Sequence, residues 1–344
     1  MNDDIALIVD TVLRWAKKLP ATVSGNLDTA SWREAQELGL MGLMVQEAHG
    51  GLGLNWQQAG PVLQALGEAA VALPIAETLI AAFLYSKYGQ IPPDGVLSLA
   101  VRTHGQCDGH HFSGTVAGVP FGRHADFILA QRGNTLFALK RSDADVAQLR
   151  LNPANEACDA FQFTNTPVNC LGTARGDELL LIGALTRSCQ SAGALKAALS
   201  LTIGYAGERV QFGRTLSKFQ AVQQLLAQFG AEVAAVTCAV GAACRAMDTN
   251  ASAFAIGSAK LRSHMAIGLG TATAHQVHGA IGFTREYHLR QWTQRLWHWR
   301  SEFGNDLFWS EWLGAMIADQ GANQFWNYLT SIDDPNPVID IATT

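Results

Sequence analysis

The stretch of this 344-residue chain with the clearest chemical potential is a corner that carries guanidinium groups. Small and apolar residues from Ser191 to Ala206 give way to Gly207-Glu208-Arg209-Val210-Gln211-Phe212-Gly213-Arg214, and an apolar pattern resumes at Phe219, Val222, Leu225, Leu226 and Phe229. Spacings of three and four on both sides, as at Leu195, Ala198 and Leu199 or Ile203 and Ala206, predict two long helices joined by a cationic turn. An arginine fixed at the end of a helix can offer a planar five-donor fork to a phosphate. The macrodipole also favours arginine at a helix C-terminus, with Gly213 as a turn residue. Spacing alone leaves both readings open.

Other chemistries find less support. The six cysteines, at 107, 158, 170, 189, 238 and 244, form no C-x-x-C pair, so they are expected to be reduced and buried as small hydrophobes. The ten histidines show no metal signature, and His110 and His111 would point apart on a strand, so no metal centre is expected. A formal net charge of -5 argues against nucleic-acid binding. No uninterrupted apolar stretch approaches the ~18 residues of a membrane span. An acidic N-terminus, unlike the basic start of a signal peptide, makes a cytoplasmic protein the expectation. Only 15% of residues are charged against 48% hydrophobic, which predicts an oligomer that hides apolar surface between subunits.

The elements that would hold the corner fall into three blocks. Residues 1–93 read as a helical domain: a first amphipathic helix carries Ile5, Val9, Val12, Leu13 and Trp15, Asp28 or Thr29 caps a second, and two more run from Trp56 to Ala72 and from Pro74 to Tyr88. Residues 94–183 read as a small β-barrel or sandwich. Its strand candidates lie at Val96–Arg102, Gly109–Val116, Phe127–Gln131, Thr135–Leu139 and Glu178–Ile182, with turns at Asp108-Gly109 and Arg132-Gly133-Asn134. Residues 184–330 read as a four-helix-like bundle, and residues 331–344 as a polar tail. Ala251 to Gly279 is Ala- and Gly-rich and needs close neighbours. Trp292, Trp297, Trp299, Trp309 and Trp312 could form a ligand wall, an interface or plain core.

Four stretches resemble the acyl-CoA dehydrogenase family. Trp32 to Gly53 is similar to its N-terminal helical signature, and Gly114 to Asp126 to the β segment that lies against the flavin. Tyr205 to Gln223 is similar to its Arg-x-x-Phe-Gly element with the glutamine-containing helix, and Ala274 to Tyr287 to its Gln-x-x-Gly-Gly-x-Gly type motif. The resemblance implies an α+β fold of N-terminal helices, middle β domain and C-terminal four-helix bundle, assembled as dimers or tetramers. It further implies FAD as cofactor, an acyl-CoA thioester as substrate and an acceptor such as an electron-transfer flavoprotein. The cofactor-binding positions it implies are Arg209, Gln211, Phe212 and Gln220, with Gln276, His278, Gly279 and Ala280 from the second motif. Arg209 and Phe212 would reach the FAD of a neighbouring subunit. The family's reaction is α,β-dehydrogenation, with a carboxylate removing the α proton.

The chain departs from the family at that carboxylate. The two usual base positions map onto Thr186 and Phe303, neither of which is acidic. Glu302 is the candidate substitute, against its alternatives as an exposed helical glutamate or a partner of Arg300; Glu208 reads as an ion-pair or capping residue. Gly118-Val119-Pro120 replaces the family's flavin-facing Trp-x-Thr, and the loop expected around Ala100 to Cys107 has no counterpart. Related α2β2 dehydrogenases of bacterial steroid side-chain degradation divide the base and the cross-subunit arginine between two subunit types. The chain resembles the base-lacking type. A self-sufficient homomer and a non-catalytic paralogue remain as alternatives.

Overall fold

The computed structural model describes residues 3–19, 25–247, 252–321 and 323–331; all but the first residue of the polar stretch 331–344 lies outside them. Helices α1 (Asp3–Ala16), α2 (Thr29–Glu37), α3 (Trp56–Glu68) and α4 (Ile75–Lys87) form the N-terminal block. Asp28 caps α2 by accepting from the Ala30 amide, and Asn55 with Gln58 makes a reciprocal capping box at α3, so both starts are written locally.

The middle block is two four-stranded sheets. Its strands are β1 (Leu97–Leu99), β2 (Arg102–Cys107), β3 (His111–Pro120), β4 (Phe127–Arg132), β5 (Thr135–Lys140), β6 (Val146–Gln148), β7 (Cys158–Pro167) and β8 (Asn169–Thr173). One sheet has the order β1-β4-β5-β8, the other β2-β3-β7-β6. Phe112 and Phe137 meet between them with ring centres 5.2 Å apart. The sheets do not close on each other, so the block is a sandwich and the barrel alternative is set aside. Turns fall at Asp108–His110 and Gly133-Asn134 as expected, but β2 beyond Arg102, β6, β7 and β8 went unread because their mixed residues alternate weakly.

Glu178–Ile182, expected as a strand, is the first turn and a half of α5 (Glu178–Glu208). A four-residue apolar run cannot by itself separate strand from buried helix, and here the continuous helix that follows decides. Helix α5 has 31 residues, so it is about 46 Å long. Then come a two-residue-per-strand hairpin, β9 (Val210–Gln211) and β10 (Arg214–Thr215), and the helices α6 (Gln220–Ala246), α7 (Ser252–His278), α8 (Leu289–Trp299), α9 (Asp306–Gln320) and α10 (Phe325–Ser331).

Small residues set the helix spacings. A Cβ on Gly67 of α3 would lie 2.0 Å from the Gln190 carbonyl oxygen, and one on Gly193 of α5 would lie 1.9 Å from that of Gln64, so these helices touch backbone to backbone. Gly270 of α7 receives the Phe229 ring of α6, and Gly257 receives Trp309 of α9. Ile203, grouped with Ala206 from spacing, is half exposed, while Ala206 is buried. Helix α6 is long and apolar enough to cross a membrane by length and composition. It packs in the bundle against α5 and α7, and its Glu232 pairs with Arg262.

Candidate functional site

The predicted site residues lie at the two halves of α5. In the first half, Thr186 is buried and its hydroxyl donates to the Ile182 carbonyl one turn back at 2.8 Å. Phe303, the other base position, is 3% exposed with φ of 54°, a left-handed conformation unusual for a bulky residue. Its carbonyl accepts from Trp309 Nε1 at 3.0 Å, and its ring lies on Gly183 so closely that a Cβ there would be 2.3 Å from Cδ1. The position that would carry a base therefore carries a plug.

Glu302 is neither exposed nor paired with Arg300, whose Nε instead bonds His264 Nε2 at 2.7 Å. It lies past the end of α8 and is 4% exposed. Its Oε2 accepts from Arg187 Nε at 2.6 Å, and its Oε1 is 2.9 Å from His298 Nε2. Arg187 also donates to Glu77 Oε1 at 2.7 Å and to Gln190 Oε1 at 2.5 Å. Burial pushes the Glu302 carboxyl up, but Arg187 and His298 outweigh it and hold it at about 2. At Glu77 burial outweighs Arg187, with the nearby Glu302 charge adding to it, and the carboxyl is raised. His298 is driven up to about 10: burial opposes this, and Glu302 prevails. Lys260 donates to the Trp299 carbonyl and is pushed down to about 7, by burial first. A carboxylate held ionised by two cations is a poor proton acceptor near neutral pH, which removes Glu302 as the substitute base.

Sequence reading missed this network. The His298-x-x-x-Glu302 spacing was a visible signal, whereas Glu77 comes from a helix more than a hundred positions away.

The other half of α5 is open. Arg209 caps the helix in an extended conformation and is exposed. Phe212 and Gly213 both have positive φ, of 51° and 77°, which makes the tight turn of the β9–β10 hairpin. Phe212 is 92% exposed at its tip, and the Arg214 guanidinium lies 4.1 Å over the Phe219 ring. Gln211 and Gln220 are exposed beside it.

The second motif is brought to the same end. His278 closes α7 and stacks on Tyr205 of α5 at 4.4 Å. Gln276, Gly279 and Ala280 are exposed, but His278 is buried. Its Nδ1 is 2.8 Å from the Ala274 carbonyl and its Nε2 3.1 Å from the Tyr287 hydroxyl. Both nitrogens are engaged inside the protein, so His278 holds the two segments together rather than facing outward.

The tryptophans divide similarly. Trp309 is core, Trp292 donates to the Glu68 carbonyl, and Trp297 stacks on His275 at 5.5 Å while 40% exposed. Of the cysteines only Cys189 and Cys244 are buried, with sulfurs 3.8 Å apart; Cys170 and Cys238 are exposed, against the expectation of burial. Polar neighbours on β8 and an outward face of α6 explain the difference.

Beside Phe303 there is no room for a flavin ring. The cleft between β-sandwich and α5, lined by Ala100, Val101, Gln131, Leu179, Leu180 and Phe303, has about 120 Å³, less than the ~300–1,000 Å³ of ordinary small-molecule sites. Val119 is fully buried and the Pro120 carbonyl accepts from Ser98 Oγ at 2.5 Å, so the strand that replaces the flavin-facing segment is tied into the sandwich. The hairpin end leaves Arg209 and the side-chain amides of Gln211 and Gln220 open to a ligand from outside.

This order of N-terminal helices, sandwich and helical bundle is the acyl-CoA dehydrogenase fold. The structure is similar to that of the Tcur3481–Tcur3483 steroid ACAD, with a TM-score of 0.84, 23% identity and coverage of 93% of this chain and 99% of that one. It is also similar to the ChsE4–ChsE5 complex from Mycobacterium tuberculosis, with a TM-score of 0.78, 21% identity and coverage of 92% and 96%. Models of the acyl-CoA dehydrogenase N-terminal and C-terminal domains match residues 3–90 and 172–301, together well over half of the sequence. Acyl-CoA dehydrogenase IpdE2 of Mycolicibacterium smegmatis is 27% identical over 310 residues, 86% of this chain and 93% of that protein. The chain belongs to the acyl-CoA dehydrogenase family.

Proposed function

We propose that this chain is the base-free, arginine-donating subunit of a cytoplasmic heteromeric acyl-CoA dehydrogenase that forms an α,β double bond in a CoA thioester. The observation that carries the proposal is the contrast along α5: both base positions are closed by Thr186 and Phe303, while Arg209 and Phe212 stand exposed at the other end. FAD, bound mainly by the partner, supplies the hydride acceptor that no side chain can provide.

This chain's residues bind and orient. Arg209 offers charge-assisted donors to the dinucleotide's linked phosphates, and Gln211, Gln220 and Gln276 add amide hydrogen bonds. Phe212 covers the cofactor's apolar surface and excludes water. Gly279 and Ala280 leave the end of α7 low enough for close approach, while the His278–Tyr205 stack fixes the spacing of the two motifs. The α proton is taken by a carboxylate of the partner, and an electron-transfer flavoprotein or similar acceptor reoxidises the complex. The likeness to a steroid ACAD favours a bulky acyl group, and an α2β2 tetramer accommodates both roles.

Expression of the chain alone and together with a homologous subunit encoded nearby tests the proposal. The pair should carry flavin, have the native mass of a hetero-oligomer and oxidise an acyl-CoA. A full complement of FAD and turnover from the chain alone would refute it and restore the self-sufficient reading. A colourless, inactive pair would favour the non-catalytic one.

A further inference from the structure

Three ligand-type side chains from separate segments meet where the sandwich joins the bundle. They are Cys158 at the start of β7, His298 near the end of α8 and Glu302 in the turn beyond it. One donor atom from each lies within 4.8 Å of the other two. His298 Nε2 and Glu302 Oε1 are buried and only 2.9 Å apart, yet neither makes an aligned hydrogen bond to the other or to anything else among the described residues. The pair is held by charge without an aligned hydrogen bond, an arrangement that an ion between the two atoms would complete.

The spacing suits a cation. Bonds of about 2.0–2.2 Å to nitrogen and oxygen at a tetrahedral centre put the two ligand atoms about 3.3 Å apart, a few tenths of an ångström from the spacing here. Beside them is a cavity of about 10 Å³ that Asn152 and Glu156 also line. That is room for about one water, the fourth ligand of an open site. The remaining oxygen of Glu302 is held by Arg187, itself anchored on Glu77 and Gln190, so the carboxylate has the outer partner that orients a metal ligand.

We propose that Cys158, His298 and Glu302 bind a divalent cation of the zinc class, with a cavity water in the fourth position. Thiolate and imidazole together select zinc or cobalt over magnesium and calcium. The thiolate and carboxylate neutralise the two positive charges, and the thiol and imidazolium protons are released to solvent. Arg187 keeps Glu302 Oε2, which leaves Oε1 to the ion. Such an ion ties β7 to the end of α8 and stabilises the junction without touching the flavin-facing end.

The full chain is dialysed against buffer with zinc chloride, freed of loose ion and analysed for metal, and a second sample is loaded with cobalt(II). About one zinc per chain is expected, and cobalt should give a thiolate-to-metal charge-transfer band. Cys158→Ser should abolish the band and weaken zinc binding at least tenfold. His298→Gln should weaken zinc binding too, while Cys170→Ser, which removes an exposed thiol outside the cluster, should change neither. Zinc should raise the melting temperature of the wild type and leave Cys158→Ser unmoved. Far less than one zinc per chain, or the same content in the wild type and Cys158→Ser, overturns the proposal.

Discussion

The two halves of α5 have opposite characters although they belong to one uninterrupted helix. The first half is sealed: Thr186 bonds its own helix, Phe303 covers Gly183, and Arg187 is locked between two carboxylates. The far end is unsatisfied, with Arg209 and Phe212 projecting from a turn that touches little of its own chain. A molecule that performed its own chemistry would need the first region open. Where the usual bases are missing their space is filled, while the end proposed to meet a neighbour stays exposed.

Arg187→Met attacks the sealed half and should have the largest effect. It removes the cation that the buried Glu77 and Glu302 share, which costs about 3–5 kcal/mol. Urea denaturation should show that loss, and an unchanged midpoint would mean that the network does not hold the first half shut. Arg209→Ala attacks the open end. Folding should be untouched, but flavin affinity of the assembled pair should fall roughly 10- to 100-fold, the worth of one or two charge-assisted hydrogen bonds. Equilibrium dialysis of the flavin measures it, and an unaltered affinity breaks the contrast.

Gly183→Ala sharpens the account of the plug. The added methyl would meet the Phe303 ring inside normal contact distance, so about 1–3 kcal/mol of stability should disappear. Phe303→Leu in the same chain should recover part of it, read as melting temperature. A slope with pH probes the buried charges of the same region. Lys260 sits at about 7 in the folded protein against an ordinary 10.5, so in that window the unfolded chain binds a proton that the folded one does not. Raising the pH from about 7 to about 10.5 therefore removes a penalty, and the wild type should gain stability relative to Lys260→Met. A stability difference between the two that stays flat across the window would show that burial does not depress this amine.

Much of the architecture was legible because its signals are local. Asp28 announces a helix start, Gly133-Asn134 announces a hairpin, and apolar residues three and four apart trace α5 and α6. Glu178–Ile182 was misread because a short apolar run has no period long enough to distinguish strand from helix. The motif around Arg209 could be found from residue order alone, and so could the absence of acids at 186 and 303.

The fate of Glu302 depended on packing. Its neighbours in sequence suggested an exposed glutamate or a partner for Arg300, but Glu77 and Arg187 arrive from distant helices and convert it into a buried ion-pair member. His278 likewise reads as part of a binding motif, yet Tyr205 and Tyr287 enclose it. Sequence determined which groups exist, which turns they flank and which acids are missing, because those depend on residue type and short spacing. Tertiary structure decided which groups face water and which face one another, because burial and long-range charge pairing arise only when separate elements close around them.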